Sequence, residues 1–293
     1  MAKSAILKSS LAKKYWMALT GLFLCLFLVG HLLGNLQILY ADPHQFNTYA
    51  LFMTSNPAVK ALSYLTYISI LFHAVDGALL TYRNVKARPV GYVKNNPSKN
   101  SMWSSRNMGI LGTLILVFIV THMMNFWAVM HFDNKMPLEK VIVNVNPKAT
   151  PAQNQEFYIT TRLGEYIPVA QVGSSKEEAK SLGKPYYIKD RTEIMNTQVD
   201  VKMADGYKDL HKITVAFFKH EKFGLLYAIL YALAMVVLGL HLWHGFASSF
   251  QSIGLNHPKY SGFISKFGMF FATVVPFLFA IIPLYVHFLL KTV

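Results

Sequence analysis

The chain has 293 residues, of which 53% are apolar and only 14% charged, a balance that argues against a soluble globular domain and for an integral membrane protein. Its net charge of +14 would suggest nucleic acid in a soluble protein, but here the basic residues are distributed as membrane topology signals, and no nucleic-acid partner is expected. A single cysteine, Cys25, excludes a disulfide, an iron–sulfur cluster built by this chain alone, and a C-x-x-C-H haem attachment.

In chain order, a basic arm with Lys3, Lys8, Lys13 and Lys14 leads into the first apolar window, Trp16–Tyr40. It exceeds the ~20 residues that a spanning helix needs and lacks a small-residue cleavage site, so it is read as a retained helix rather than a signal peptide. The first connection, Tyr40 to Asn56, holds Asp42, Pro43, His44 and Asn47 and reads as a partly ordered cap on the outer interface. Ser55, Asn56 and Pro57 form a helix-start signal for the second window, Val59–Tyr82. The second connection carries Arg83, Lys86, Arg88, Lys94, Lys99 and Arg106 without an acid. It contains Pro89, Gly91, Asn95, Asn96, Pro97 and Ser98, the composition of a loop with no core.

The third window is Asn107–Met130. A long third connection follows, from His131 to Lys222, with fourteen Lys/Arg against twelve Asp/Glu. Within it, Val141–Val145 and Glu156–Thr161 are strand-like, Lys176–Ser181 is helix-like, and Leu210–Phe218 is a basic amphipathic approach to the membrane. It shows no metal-ligand spacing, phosphate loop or nucleophile constellation, and reads as a structural cap or partner contact. The fourth window, Phe223–Phe250, and the fifth, Phe267–Leu290, are joined by a connection with Lys259 and Lys266.

The expectation is an all-α membrane protein with five transmembrane helices. Helices one to three occupy 1–130, an extracytoplasmic insertion 131–222, and helices four and five 223–293. The positive-inside rule puts the N-terminus in the cytoplasm.

Four of these windows each carry a histidine deep in apolar sequence: His31, His73, His122 and His241. Such residues are costly in hydrocarbon and point to function. Counting ~1.5 Å per residue from the cytoplasmic boundaries puts His31 and His122 both ~24 Å in, and His73 and His241 both ~15 Å in. Two neutral imidazoles at matching depth on different helices can supply both axial ligands of a haem iron. Gly77 and Gly245 lie four residues after His73 and His241, and Gly30 and Gly34 flank His31, where little bulk would suit a porphyrin edge. The same glycines would also serve close helix packing. His244, three residues after His241, is the alternative fourth ligand, or a partner for a haem propionate or a quinone.

The stretches TGLFLCLFLVGHLLGN and HLWHGFASSFQSIGLNHPKY resemble the cytochrome b membrane anchor of succinate:quinone oxidoreductases, the succinate dehydrogenase and fumarate reductase group (respiratory complex II), in its single-chain dihaem b558 type. The resemblance covers the five helices and short loops, not the third connection. It implies two haem b groups in a five-helix bundle, with His31 and His122 on the distal haem iron and His73 and His241 on the proximal one. It also implies a cytoplasmic flavoprotein and an iron–sulfur subunit as partners, a quinone substrate expected to be menaquinone, and electron transport in a bacterial cytoplasmic membrane. A higher oligomer of the complex is compatible with it, and dicarboxylate chemistry would lie outside this chain. Some dihaem relatives carry a carboxylate two residues before the fourth ligand, where this chain has Gly239, so proton-coupled operation by that route is not expected.

Lys13, Lys14, Trp16, Ser104, Ser105 and Arg106 are candidates to face haem propionates, although the cations among them also serve topology. Asn35, Gln37, His44, Asn125 and Trp127 are candidates for a quinone pocket. Asp76, the one carboxylate within a window, would relay protons or orient a haem environment, or else pair with a neighbouring hydroxyl or with Arg83. The rival readings are a cytochrome b of another membrane redox complex, of hydrogenase or formate dehydrogenase type, and a transporter or channel.

Overall fold

The computed structural model describes residues 9–87, 89–90, 96, 99, 101–146, 153–162 and 164–291. Of the residues named above, Lys3, Lys8, Arg88, Gly91, Lys94, Asn95, Pro97 and Ser98 lie outside that set.

Helix α1 (Ser10–Leu36) starts at Ser9, whose hydroxyl accepts from the Ala12 amide at 3.0 Å, and runs on through a 3-10 turn at Gln37–Leu39. Helix α2 (Pro43–Ser55) fills most of the first connection. Helix α3 (Pro57–Lys86) is capped by Asn56, which accepts from the Ala58 and Val59 amides, with proline in the first turn where its missing N–H costs nothing. This helix extends past its apolar window, so Arg83 and Lys86 ride on its last turn rather than in a loop. After a helical turn, α4 (Trp103–Arg106), come α5 (Met108–His122), a π-helical stretch at Met123–Trp127, and α6 (Ala128–Phe132).

The third connection contains β1 (Lys140–Asn146), β2 (Gln153–Ile159), β3 (Tyr166–Pro168), β4 (Val172–Gly173), α7 (Lys176–Ser181), β5 (Tyr186–Lys189), β6 (Glu193–Asn196), β7 (Lys202–Asp205) and α8 (Leu210–Phe218). Two long helices close the chain, α9 (Gly224–Ser252) and α10 (Pro258–Phe288). The start of α10 lies nine residues before the apolar window, because Pro258 and the capping ring of His257, accepting from the Lys259 amide at 3.2 Å, set it.

Five stretches are long and apolar enough to cross a membrane: Leu11–Leu39, Pro57–Lys86, Met108–Phe132, Gly224–Ser252 and Pro258–Phe288. Their outward residues are large and apolar; Leu26, Leu71 and Phe270 are each more than 60% exposed, a surface suited to lipid rather than water. Hydroxyls on these helices bond back to their own backbone, as Thr66 does to Leu62 O at 2.9 Å and Thr273 to Met269 O at 2.9 Å. Polar groups facing hydrocarbon need such internal partners. This is a mostly helical, multi-pass membrane protein. The expectation of an all-α fold is corrected by two small sheets in the third connection, where β-branched and aromatic alternation replaces the helical period.

The chain divides into two compact units. The first (1–40, 56–122 and 217–293) contains α1, α3, α5, α9 and α10. In it α1 packs on α3, α9 and α10, while α9 also meets α5 and makes its most extensive contact with α10. That contact is close for a definable reason. Pro276 lacks the N–H that would bond the Ala272 carbonyl one turn back. Gly239 of α9 covers that carbonyl, and a Cβ added to it would sit 3.0 Å from the oxygen.

The second unit (41–55 and 123–216) holds both sheets. One has the order β1-β2-β3, antiparallel throughout; the other is β4-β5-β6-β7, with β4 parallel to β5 and the rest antiparallel. Asn47 of α2, 1% exposed, donates to Asp209 at 3.1 Å and accepts from the His211 amide at 3.0 Å, pinning α2 to the start of α8.

Candidate functional site

In the first unit the four membrane histidines meet as two pairs, each drawn from two helices. The rings of His31 (α1) and His122 (α5) have centroids 5.9 Å apart and stand nearly perpendicular, at 86°. Those of His73 (α3) and His241 (α9) are 6.2 Å apart at 68°.

Around the first pair the walls are aromatic. Phe27, one turn before His31, stacks on it at 5.3 Å, and Phe118 stacks on His122 at 5.6 Å. Tyr231 of α9 and Phe279 of α10 approach the same rings at 6.0 and 5.7 Å. The fifth membrane helix thus supplies no histidine to the pairs but does supply a wall.

The second pair is more polar. His73 Nδ1 lies 3.1 Å from the Met17 carbonyl and 3.3 Å from Thr20 Oγ1, both on α1. Since a carbonyl only accepts, that contact places the proton on Nδ1 and leaves Nε2 with its lone pair. His241 Nδ1 is buried and has no hydrogen-bond partner among the described residues. An orphaned polar atom in a membrane interior is costly unless a further group completes its surroundings.

Two glycines that the spacing argument did not single out face these rings. A Cβ on Gly21 of α1 would sit 3.1 Å from His73 Cε1, and one on Gly112 of α5 would sit 3.7 Å from His241 Cε1. By contrast, Gly77 and Gly245 face the flexible ends of Met17 and Met108, and nothing lies within 4 Å of a Cβ built on Gly30. His244 is turned to its own helix, its Nε2 3.2 Å from Ser248 Oγ.

Among the described residues Asp76 pairs with Lys13 rather than with a hydroxyl or Arg83: Lys13 Nζ of α1 lies 3.3 Å from its Oδ1, with both side chains largely buried. Lys13 is thereby committed to a carboxylate. Arg106 donates to the Ser101 carbonyl, Ser104 is buried, and Trp16 is 54% exposed.

The quinone candidates are divided between the two units: Asn35 and Gln37 belong to the first, His44, Asn125 and Trp127 to the second. Asn35 Nδ2 donates to His31 O at 2.8 Å, with the His31 ring nitrogens 3.4 and 3.5 Å away. His44 Nδ1 lies 3.2 Å from the buried carboxylate of Glu139, while Trp127 stacks on His131 at 4.7 Å.

No family model, curated protein or solved structure matches the chain.

Among the described residues no three of His, Cys, Asp or Glu cluster as a metal site made by protein alone. A haem iron asks for less, because the porphyrin already supplies four nitrogens and the protein adds only axial ligands. With metal–imidazole bonds of ~2.0–2.1 Å, and ring centres roughly 1 Å behind the ligating nitrogens, two imidazoles on opposite sides of one ion have centres roughly 6 Å apart. Both pairs have that spacing. The donor set, the orphaned His241 nitrogen and the trimmed faces of Gly21 and Gly112 therefore fit a bis-histidine haem.

Proposed function

We propose that the chain is the dihaem cytochrome b anchor of a succinate dehydrogenase or fumarate reductase complex, passing electrons between an iron–sulfur subunit and membrane quinone. The supporting observation is the meeting of four membrane histidines from four helices as two facing pairs, His31–His122 and His73–His241.

Haem b, when bound, supplies reversible one-electron chemistry. His31 and His122 would hold one group, and His73 and His241 the other. The Met17 carbonyl keeps the His73 tautomer that presents Nε2 and fixes the ring against rotation. Phe27, Phe118, Tyr231 and Phe279 would wall the first pair with aromatic rings and keep water from it. The basic N-terminal arm and second connection would face the cytoplasm and receive the flavoprotein and iron–sulfur partners. The third connection would lie outside a bacterial cytoplasmic membrane. Menaquinone is the expected quinone.

An absorbance spectrum of the purified protein tests the reading. A reduced b-type α-band with two irons per chain is expected, and its absence ends the haem assignment. Co-purification with mass spectrometry then tests the complex. Recovery of a hydrogenase or formate dehydrogenase module instead of a flavoprotein would transfer the same haem chemistry to a different enzyme.

A further inference from the structure

Wholly within the second unit lies a cavity of about 300 Å³ whose wall carries, among the described residues, four cations, Lys135, Lys140, Arg191 and Lys212, and no carboxylate. Lys140 is paired with Glu156 at 3.1 Å. Among the described residues the side chains of Lys135 and Lys212 have no ion-pair partner. The acids nearest them in sequence, Asp133 and Asp209, accept instead from the backbone amides of Lys135 and Lys212.

Arg191 is the most telling of the four. It occupies the tight turn between β5 and β6 with φ of 70°, after Asp190 at 47°. Such turns favour Asn-Gly, since glycine takes positive φ without steric cost. A long charged side chain kept in that conformation is an outlier that points to a role for the side chain. One of its five N–H donors goes to the His131 carbonyl, closing the end of α6, and the planar fork retains further donors. Lys208, outside the cavity wall, is bonded to the neighbouring Met130 carbonyl, and burial and the proximity of Arg191 lower its pKa.

We propose that this cavity binds a phosphate-type oxyanion, borne on the headgroup of an anionic phospholipid or supplied as free phosphate. A bidentate arginine beside two unpaired lysines is the chemistry that recognises such a group. Chain connectivity favours the lipid source. Lys135 follows Phe132, the last residue of a membrane-crossing stretch, by three residues, a reach of at most ~11 Å.

The test uses the full chain in detergent, with phosphatidylglycerol, phosphatidylcholine and inorganic phosphate as probes, read by native mass spectrometry and by thermal unfolding. Retention of phosphatidylglycerol over phosphatidylcholine supports the headgroup source, and stabilisation by phosphate alone supports the free anion. Replacing both exposed lysines (Lys135→Gln with Lys212→Gln) should weaken binding about tenfold, the loss expected for charged hydrogen bonds, without changing secondary structure. Arg191→Lys, which keeps the charge and loses the fork, should weaken it as well. The proposal is overturned if neither anion binds in preference to phosphatidylcholine, or if both variants bind as tightly as the native chain. This experiment does not depend on the haem content of the preparation.

Discussion

Lys13 Nζ of α1 lies 3.3 Å from Asp76 Oδ1 of α3, tying together two membrane helices that also meet through the His73 ring and the Met17 carbonyl. A carboxylate one turn from an intramembrane histidine, read alone, suggests a proton relay; with an ammonium beside it, its first role is to neutralise a buried cation. Asp76→Asn should cost about 2 kcal/mol of stability by leaving that cation unbalanced. Combining Lys13→Met with Asp76→Leu should recover most of the loss. Thermal melts of the three proteins check this, and under the proposed function normal quinone reduction by the Asn variant at all pH values would dispose of a relay.

The two histidine pairs predict separable losses. Under the dihaem reading, His31→Ala or His122→Ala should lower bound haem from two to one per chain and leave the spectrum of the other haem in place. His244→Ala should retain both. Pyridine haemochrome content measures each outcome, and loss of both haems from every histidine variant alike would argue against separate sites.

Gly21→Ala places a methyl group 3.1 Å from His73 Cε1. The helix gains intrinsic propensity, but the ring must move, at a cost of about 1–3 kcal/mol typical of overpacking. Under the dihaem reading, one haem band should shift or disappear while the other is unaffected. An unchanged spectrum would show that the His73 ring adjusts freely.

Gly239→Ala presses a methyl against the Ala272 carbonyl and should destabilise the protein by about 1–3 kcal/mol in thermal unfolding. Gly239→Glu, which adds far more bulk at the same point, should fold poorly for the same reason. Efficient folding of the Glu variant would show that α9 and α10 can separate at this point.

Burial raises the Glu139 carboxyl above its ordinary value, with the His44 contact opposing the shift. The folded protein therefore holds this proton more tightly than the unfolded chain. The resulting stability is fully present below the ordinary glutamate value of about 4.3 and is lost as pH rises through the raised one. Glu139→Gln, which mimics the protonated acid, should melt like the native chain near that lower limit and gain on it as pH rises. A variant that falls further behind at higher pH would reverse the assignment.

The membrane-crossing stretches were legible because each exceeds the length that only a spanning helix requires, and Asn56-Pro57 is a start signal written in adjacent residues. Val141–Val145 was legible as a strand for a similar reason, since its alternation is local. Depth along each helix was legible and matched His31 with His122 and His73 with His241, but the other residues that face these rings were not. Gly77 and Gly245 have the right spacing from their own histidines, yet the glycines that face the rings, Gly21 and Gly112, lie on other helices, where helix register decides. The partner of Asp76 escaped for the same reason: Lys13 precedes it by 63 positions and reads as part of a topology signal. The sheets' connections and the strained turn at Arg191 also depend on pairings that no periodicity encodes.

The Ala272 carbonyl, left without a helical N–H by Pro276 and covered by Gly239, bears on how the last two helices enter the bilayer. An unsatisfied peptide oxygen facing lipid is costly, so α10 is a poor candidate to insert alone. With only the short Ile253–His257 turn between them, α9 and α10 can enter together as a helical hairpin, the glycine shielding the oxygen from the outset. A chain truncated before Pro258 would lose that hairpin and present the bare side of α9, with Phe246 and Gly239, to lipid or to the assembly machinery.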